Sequence, residues 1–221
     1  MINDKDSKGT LESRAYTCEV RAEEGESGSV LTGRPIVYNS RTDIGYFDEI
    51  IEVGALNSAD LTDVRFLVNH NTDMIPLARS RRNNGNSTMT LTPDLEGLSI
   101  TVKLDTENNQ DARALYSAVS RGDISGMSFM FSVIDEEWDD LDSDHPTRHI
   151  KSIGSVVEVS AGTFPAYDST EIYARSKEAL ESARSAMEIV RQQTAESMDI
   201  DSKRNKDLEL AKARFEFKSI M

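Results

Sequence analysis

The sequence predicts an α+β fold: a mainly antiparallel β-barrel or sandwich with one amphipathic helix and a helical C-terminal tail. Three observations predict it. Seven strand-like runs are separated by clusters of Gly, Asn, Asp or Pro, one internal segment has helical periodicity, and the composition changes after Tyr173. With 221 residues, 38% of them hydrophobic, the chain is long enough to bury a core in one domain with an appendage.

Residues 1–12 lack apolar periodicity and read as a mobile arm. In Arg14–Arg21, the apolar Tyr16, Cys18 and Val20 alternate with Thr17 and Glu19, as expected of a half-buried strand. Glu23–Ser29 reads as a turn, and Val30–Tyr38 as a strand interrupted at Gly33 and Pro35. The spacing over Ala55–Leu61 predicts a short helix. Further strands are expected at Val64–Val68, Met89–Thr92, Leu98–Leu104, Met127–Ile134 and Ile150–Ser160.

Ala112, Leu115, Tyr116 and Val119 fall at i, i+3, i+4 and i+7, so Asn109–Arg121 is an amphipathic helix stopped by Gly122. Asp135–Thr147 is strongly acidic and reads as a solvated excursion too polar to join the core. Beyond Tyr173, Leu180, Ala183, Met187 and Val190 form one helical stripe within 177–196. Charges break the pattern at Asp199–Lys206, and Leu208–Met221 reads as a second short helix.

The net charge of −14 argues against nucleic-acid binding, because affinity for a phosphate backbone comes from Lys and Arg. No apolar run is long enough to span a membrane, and the polar N-terminus lacks the features of a secretory signal. Cys18 is the only cysteine, which rules out an internal disulfide and a set of cysteine zinc ligands and suits a reducing cytoplasm. Asp139, Asp140, Asp142 and Asp144 lack the glycine and terminal glutamate of a calcium loop, so no metal and no cofactor is expected. Ser80–Asn84 is a basic patch, read as a solvated loop.

Three histidines limit the candidates for a general base to His70, His145 and His149. His70 ends the apolar run Arg65–Asn69, at a strand terminus where a cleft can open. Ser128 lies where a glycine-containing turn enters a strand, on the face opposite Met127, Phe129, Phe131 and Val133. A serine hydroxyl becomes a nucleophile only beside a base that takes its proton. Glu158 stands among valines, where a carboxylate either finds a partner such as a histidine or points to a solvated second face.

Several short motifs occur in order: Phe47-Asp48-Glu49 followed by Gly54-Ala55-Leu56, then Val68-Asn69-His70 and Asp94-Leu95-Glu96-Gly97-Leu98. Ser125-Gly126-Met127-Ser128-Phe129, Glu158-Val159-Ser160 and Pro165-Ala166-Tyr167 follow. Together they closely resemble the prohead proteases of tailed phages, over about Gly33–Tyr173. The resemblance implies a herpesvirus-assemblin-like antiparallel barrel wrapped by helices. It also implies a serine-peptidase site in which His70 takes the proton of Ser128 and a third residue orients the imidazole. Glu158 lies inside the matching motif. His149 is the alternative, because the herpesvirus enzymes use a second histidine there. Against the family pattern, Leu77-Ala78-Arg79 has Ala78 where a glycine is common, and Met130 replaces a small residue.

The expected organisation is a protease domain at 13–175 and a tail at 176–221, which lies outside the resemblance and whose heptad-like residues 177–196 read as a scaffold or targeting segment. The expected function is a serine endopeptidase that cuts the scaffold region of the major capsid protein, and its own ends, during procapsid maturation. Its expected location is the host cytoplasm, inside the assembling procapsid. The capsid protein would be its partner, with self-association and contacts to portal or scaffold as further options. The rival reading is a non-catalytic capsid-assembly scaffolding protein on the same fold.

Overall fold

The computed structural model describes residues 11–16, 20–25, 28–81, 85–162, 177–197 and 203. The chain divides into two units, Met1–Lys177 and Glu178–Met221. In the first, the strands are β1 (Leu11–Tyr16), β2 (Val20–Gly25), β3 (Gly28–Val37), β4 (Arg41–Asp43), β5 (Asp48–Ile51) and β6 (Arg65–Val68). Then come β7 (Ala78–Arg79), β8 (Met89–Pro93), β9 (Gly97–Lys103), helix α1 (Gln110–Ser120), β10 (Gly126–Asp139) and β11 (Thr147–Gly162). Residues 177–197 form helix α2, which lies in the second unit from Glu178 onward.

Two open sheets result, and the described strands form no closed barrel. A seven-stranded sheet has the order β1-β10-β11-β5-β4, with β6 beside β11 and β7 beside β6. A four-stranded sheet has the order β2-β3-β9-β8. Most pairs are antiparallel, but β11 pairs in parallel with β5 at its start and with β6 at its end. Alternation along a strand reports which face is buried. It carries no information on whether the sheet's edges meet, so the expected barrel was beyond its reach.

The core is built from the inward faces of both sheets. Phe47, Phe66, Phe129, Phe131, Leu31, Ile36 and Leu98 are fully buried in it. On β10, Met127, Phe129 and Phe131 point into this core, so the alternation sends Ser128 to the other face. Helix α1 adds Ala112, Leu115 and Val119. The side chain of its N-cap Asn109 accepts from the amides of Asp111 and Ala112. Gly122, at φ 79°, ends the helix in the left-handed region that a C-terminal cap requires.

Gly97, at φ 145°, is demanded by contact: a Cβ there would lie 2.0 Å from the carbonyl oxygen of Ile36 on β3. The preceding turn is held by Asp94, which accepts from the amides of Glu96 and Gly97 and from the Arg34 guanidinium. The hydrogen bond and charge of Arg34 hold the Asp94 carboxyl far below the usual carboxylate range.

Several expectations are corrected. Residues 53–58 form successive turns with i to i+3 bonds, Asn57 N to Gly54 O among them, so Ala55–Leu61 is not a helix. Gly54, at φ 91°, starts this segment in a conformation an α-helix does not use. The run Arg14–Arg21 is two strands in different sheets, β1 against β10 and β2 against β3. Leu11 and Glu12, assigned to the arm, belong to β1, while residues 1–10 lie outside the described residues.

The acidic segment Asp135–Thr147 begins and ends in strand, with register down to Asp139 opposite Thr147, while 140–146 form the mostly exposed turn between β10 and β11. Trp138 stacks edge-on against Phe47 at 4.9 Å, and Arg148 bonds Glu136 at 2.8 Å. Neutralisation by an arginine lets acidic positions enter packed structure. The interruption expected at Gly33 and Pro35 is a register shift between β3 and β9, from Gly33 to Ile36. Cys18, Arg82–Asn84, Pro165–Tyr167 and the helix expected over Leu208–Met221 lie outside the described residues, as do all but Lys203 of Asp199–Lys206. Among the described residues, no helix is long and apolar enough to cross a membrane.

Candidate active site

Three strands converge on the candidate site. β10 supplies Ser128 and β11 supplies Glu158 and Ser160, with Ser128 directly opposite Ser160 in the antiparallel register. β6 runs parallel to the end of β11, pairing Val68 with Ala161, and so delivers Asn69 and His70 beside Ser160. Asn69 and His70 have φ values of 51° and 55°, a left-handed pair that turns the chain sharply off the strand. Each such non-glycine residue costs on the order of 1 kcal/mol. Two bonds hold the turn: Asn69 N donates to Ala161 O at 3.0 Å, and His70 N donates to Ser160 Oγ at 3.0 Å.

The turn aims the imidazole at both neighbouring strands. His70 Nδ1 lies 2.6 Å from Glu158 Oε2, and Nε2 is in hydrogen-bond contact with Ser128 Oγ. A carboxylate only accepts, so the ring proton sits on Nδ1 and the lone pair of Nε2 faces the serine oxygen. Glu158 is 4% exposed, and its other oxygen accepts from Ser160 Oγ, which completes the satisfaction of a buried charge. Ser128 is 3% exposed.

The structure therefore brings His70, Ser128 and Glu158 together. His149 lies at the other end of β11, bonded to Glu52 at 3.0 Å and paired with Asp139 at 3.2 Å. His145 is near Asp48 on the same hairpin, at 3.3 Å. Sequence reasoning did not single out Ser160, although its place two residues after Glu158 puts both on one strand face. It also missed Ser13, whose Oγ lies 3.1 Å from His70 Nε2. No local pattern joins Ser13 to a residue so distant in the chain.

On the core-facing side of the same sheet lies a buried ion cluster. Arg14 of β1 is 1% exposed and grips Glu49 of β5 with two bonds, at 2.6 and 2.8 Å. Arg148 bonds Glu12 at 2.6 and 2.8 Å, Glu49 at 3.1 Å and Glu136 at 2.8 Å. Burial alone would raise the carboxyl of Glu12, but its hydrogen bonds and charge interactions with Arg148 and Arg14 outweigh burial and hold it below its ordinary value. The same carboxylates outweigh desolvation at Arg14 and Arg148 and hold both guanidiniums charged.

A hydroxyl, an imidazole and a carboxylate bonded in series on a β framework form the arrangement found in serine hydrolases, where the base takes the proton of the nucleophile and the acid orients the base. The model of the caudovirus prohead serine protease family matches residues 16–184, and the chain belongs to that family. No curated protein and no solved structure matches the chain significantly.

Proposed function

We propose that this chain is a serine endopeptidase of capsid maturation, with Ser128 as nucleophile, His70 as general base and acid, and Glu158 as the orienting carboxylate. The observation that carries this reading is the bonded series from Ser128 Oγ through His70 to Glu158 Oε2 in a member of this family. In the first half-reaction, Ser128 Oγ attacks the scissile carbonyl carbon as its proton passes to His70 Nε2. Glu158 stabilises the imidazolium and fixes its orientation. His70 then gives that proton to the departing amine, leaving an acyl-enzyme. A water molecule, deprotonated by His70, attacks the ester, and the proton returns to Ser128 Oγ. No cofactor or metal enters these steps.

The proposed substrate is the scaffold region of the major capsid protein, with the enzyme's own ends as second targets. The place of action is the assembling procapsid in the bacterial host cytoplasm. Residues 13–175 act as the protease domain, whose kinship with the herpesvirus assemblins rests on the order of the motifs. Residues 176–221 act as a recruiting tail, a role consistent with the apolar stripe of α2.

The test is co-expression with the capsid protein of the same phage, as wild type and as Ser128→Ala, followed by mass measurement of the capsid protein. Loss of an N-terminal segment with the wild type alone is expected. Trimming by both would place the nucleophile elsewhere, and trimming by neither would favour a non-catalytic scaffolding protein. Deletion of 176–221 should preserve cleavage and lower incorporation into proheads; undiminished incorporation would remove the targeting role.

A further inference from the structure

Strand β1 occupies an unusual place. It covers the edge of β10 that carries Ser128, pairing Leu11 with Ser132 through Tyr16 with Met127. Among the described strands, β10 has β11 on one side and only β1 on the other, so without β1 this edge would be open. An open strand edge offers unpaired amides and carbonyls, which an extended peptide satisfies by adding as a strand.

The contacts of β1 with the candidate site are those a bound peptide would make. The hydroxyl of Ser128 donates to the carbonyl oxygen of Arg14 at 2.7 Å, and Ser13 Oγ lies 3.1 Å from His70 Nε2. A hydroxyl has one proton. Arg14 O and His70 Nε2 both lie within reach of that proton, so β1 competes with the base for it. Only the last residue of β1, Tyr16, falls within the stretch that matches the family.

The side chains of β1 are read on the other face. Arg14 enters a buried position closed by Glu49, and Glu12 enters one closed by Arg148. Removing β1 withdraws one acid and one base together. It leaves Glu49, Glu136 and Arg148 shaped for an acidic residue followed two positions later by an arginine.

We infer that the β10 edge now held by β1 is the substrate-strand site, that β1 is its internal occupant, and that Glu49 and Arg148 select peptides with an acid-x-Arg pattern. This deepens the protease reading above and rests on it. The acid and the arginine stand two apart because alternate residues of a strand share a face, and the carbonyl of the arginine is the one presented to Ser128.

The test uses the full chain carrying Leu11→Cys and Ser132→Cys, a cross-strand pair outside the candidate catalytic residues. Oxidation should lock β1 in place and suppress capsid-protein cleavage at least tenfold, with reduction restoring it. In a second variant, Arg14→Ala, cleavage should rise severalfold. The six-residue peptide Leu-Glu-Ser-Arg-Ala-Tyr should then inhibit, and the peptide with its glutamate and arginine exchanged should be at least tenfold weaker. Equal cleavage by the oxidised and reduced protein would overturn the inference and leave the protease intact. Equal inhibition by the two peptides would overturn the selectivity. No cleavage in any state, matching Ser128→Ala, would overturn both readings.

Discussion

Two charged constellations sit on opposite faces of the same sheet. On one face, His70 and Glu158 share a single bond at 2.6 Å, beside a serine and partly open to solvent. On the other, Arg14, Arg148, Glu12 and Glu49 are sealed in and bonded several times over. The comparison separates two uses of charge. Each charge of the buried cluster is paired with an opposite one because an unpaired buried charge is costly. The histidine pair leaves Nε2 with its lone pair directed at a hydroxyl, which is the condition for moving a proton.

Mutations should therefore divide cleanly between the faces. The largest expected effect is on rate: Glu158→Gln should lower cleavage by roughly 10²–10⁴, because the amide no longer fixes the useful tautomer, with stability little changed. Turnover against thermal unfolding would show this, and a large loss of stability with activity retained would reverse the assignment of the faces. Glu49→Ala should act first on stability. Leaving Arg14 and Arg148 short of a buried partner costs about 3–5 kcal/mol, measurable by urea unfolding. A variant as stable as wild type would mean that the cluster carries no net stabilisation.

A third substitution probes the frame behind both faces. Gly97→Ala forces a Cβ onto the carbonyl of Ile36 and should cost at least about 2 kcal/mol. The smallest effect is on pH dependence. Glu12 is held below its ordinary value of 4.5, so its contribution is complete above that pH and is lost as pH falls through its lowered folded-state value. Acid unfolding should begin below about pH 4.5 and be blunted in Glu12→Gln; identical acid profiles would exclude this carboxylate as a cause.

The same contrast governs what the sequence revealed. His70, Ser128 and Glu158 each lie in a short motif with a recognisable strand or turn around it, and their order along the chain could be read directly. The ion cluster could not, because Glu12, Glu49, Glu136 and Arg148 meet only through pairings across long stretches of chain. Glu49 also breaks the rule that charges face outward, so β5 gave no alternation to find. β4 and β7 have three and two residues, too short for any periodicity. The long strands and α1 were legible because each buries one continuous face, whereas the boundary between β1 and β2 was hidden by an alternation that runs through it.

The most direct test of the account is covalent labelling of the wild-type chain with a fluorophosphonate, with the adduct mapped by peptide mass. A single adduct on Ser128, lost in His70→Ala while the fold is retained, is the expected result. An adduct on another residue, or equal labelling of Ser128 without His70, would contradict a nucleophile activated by that histidine.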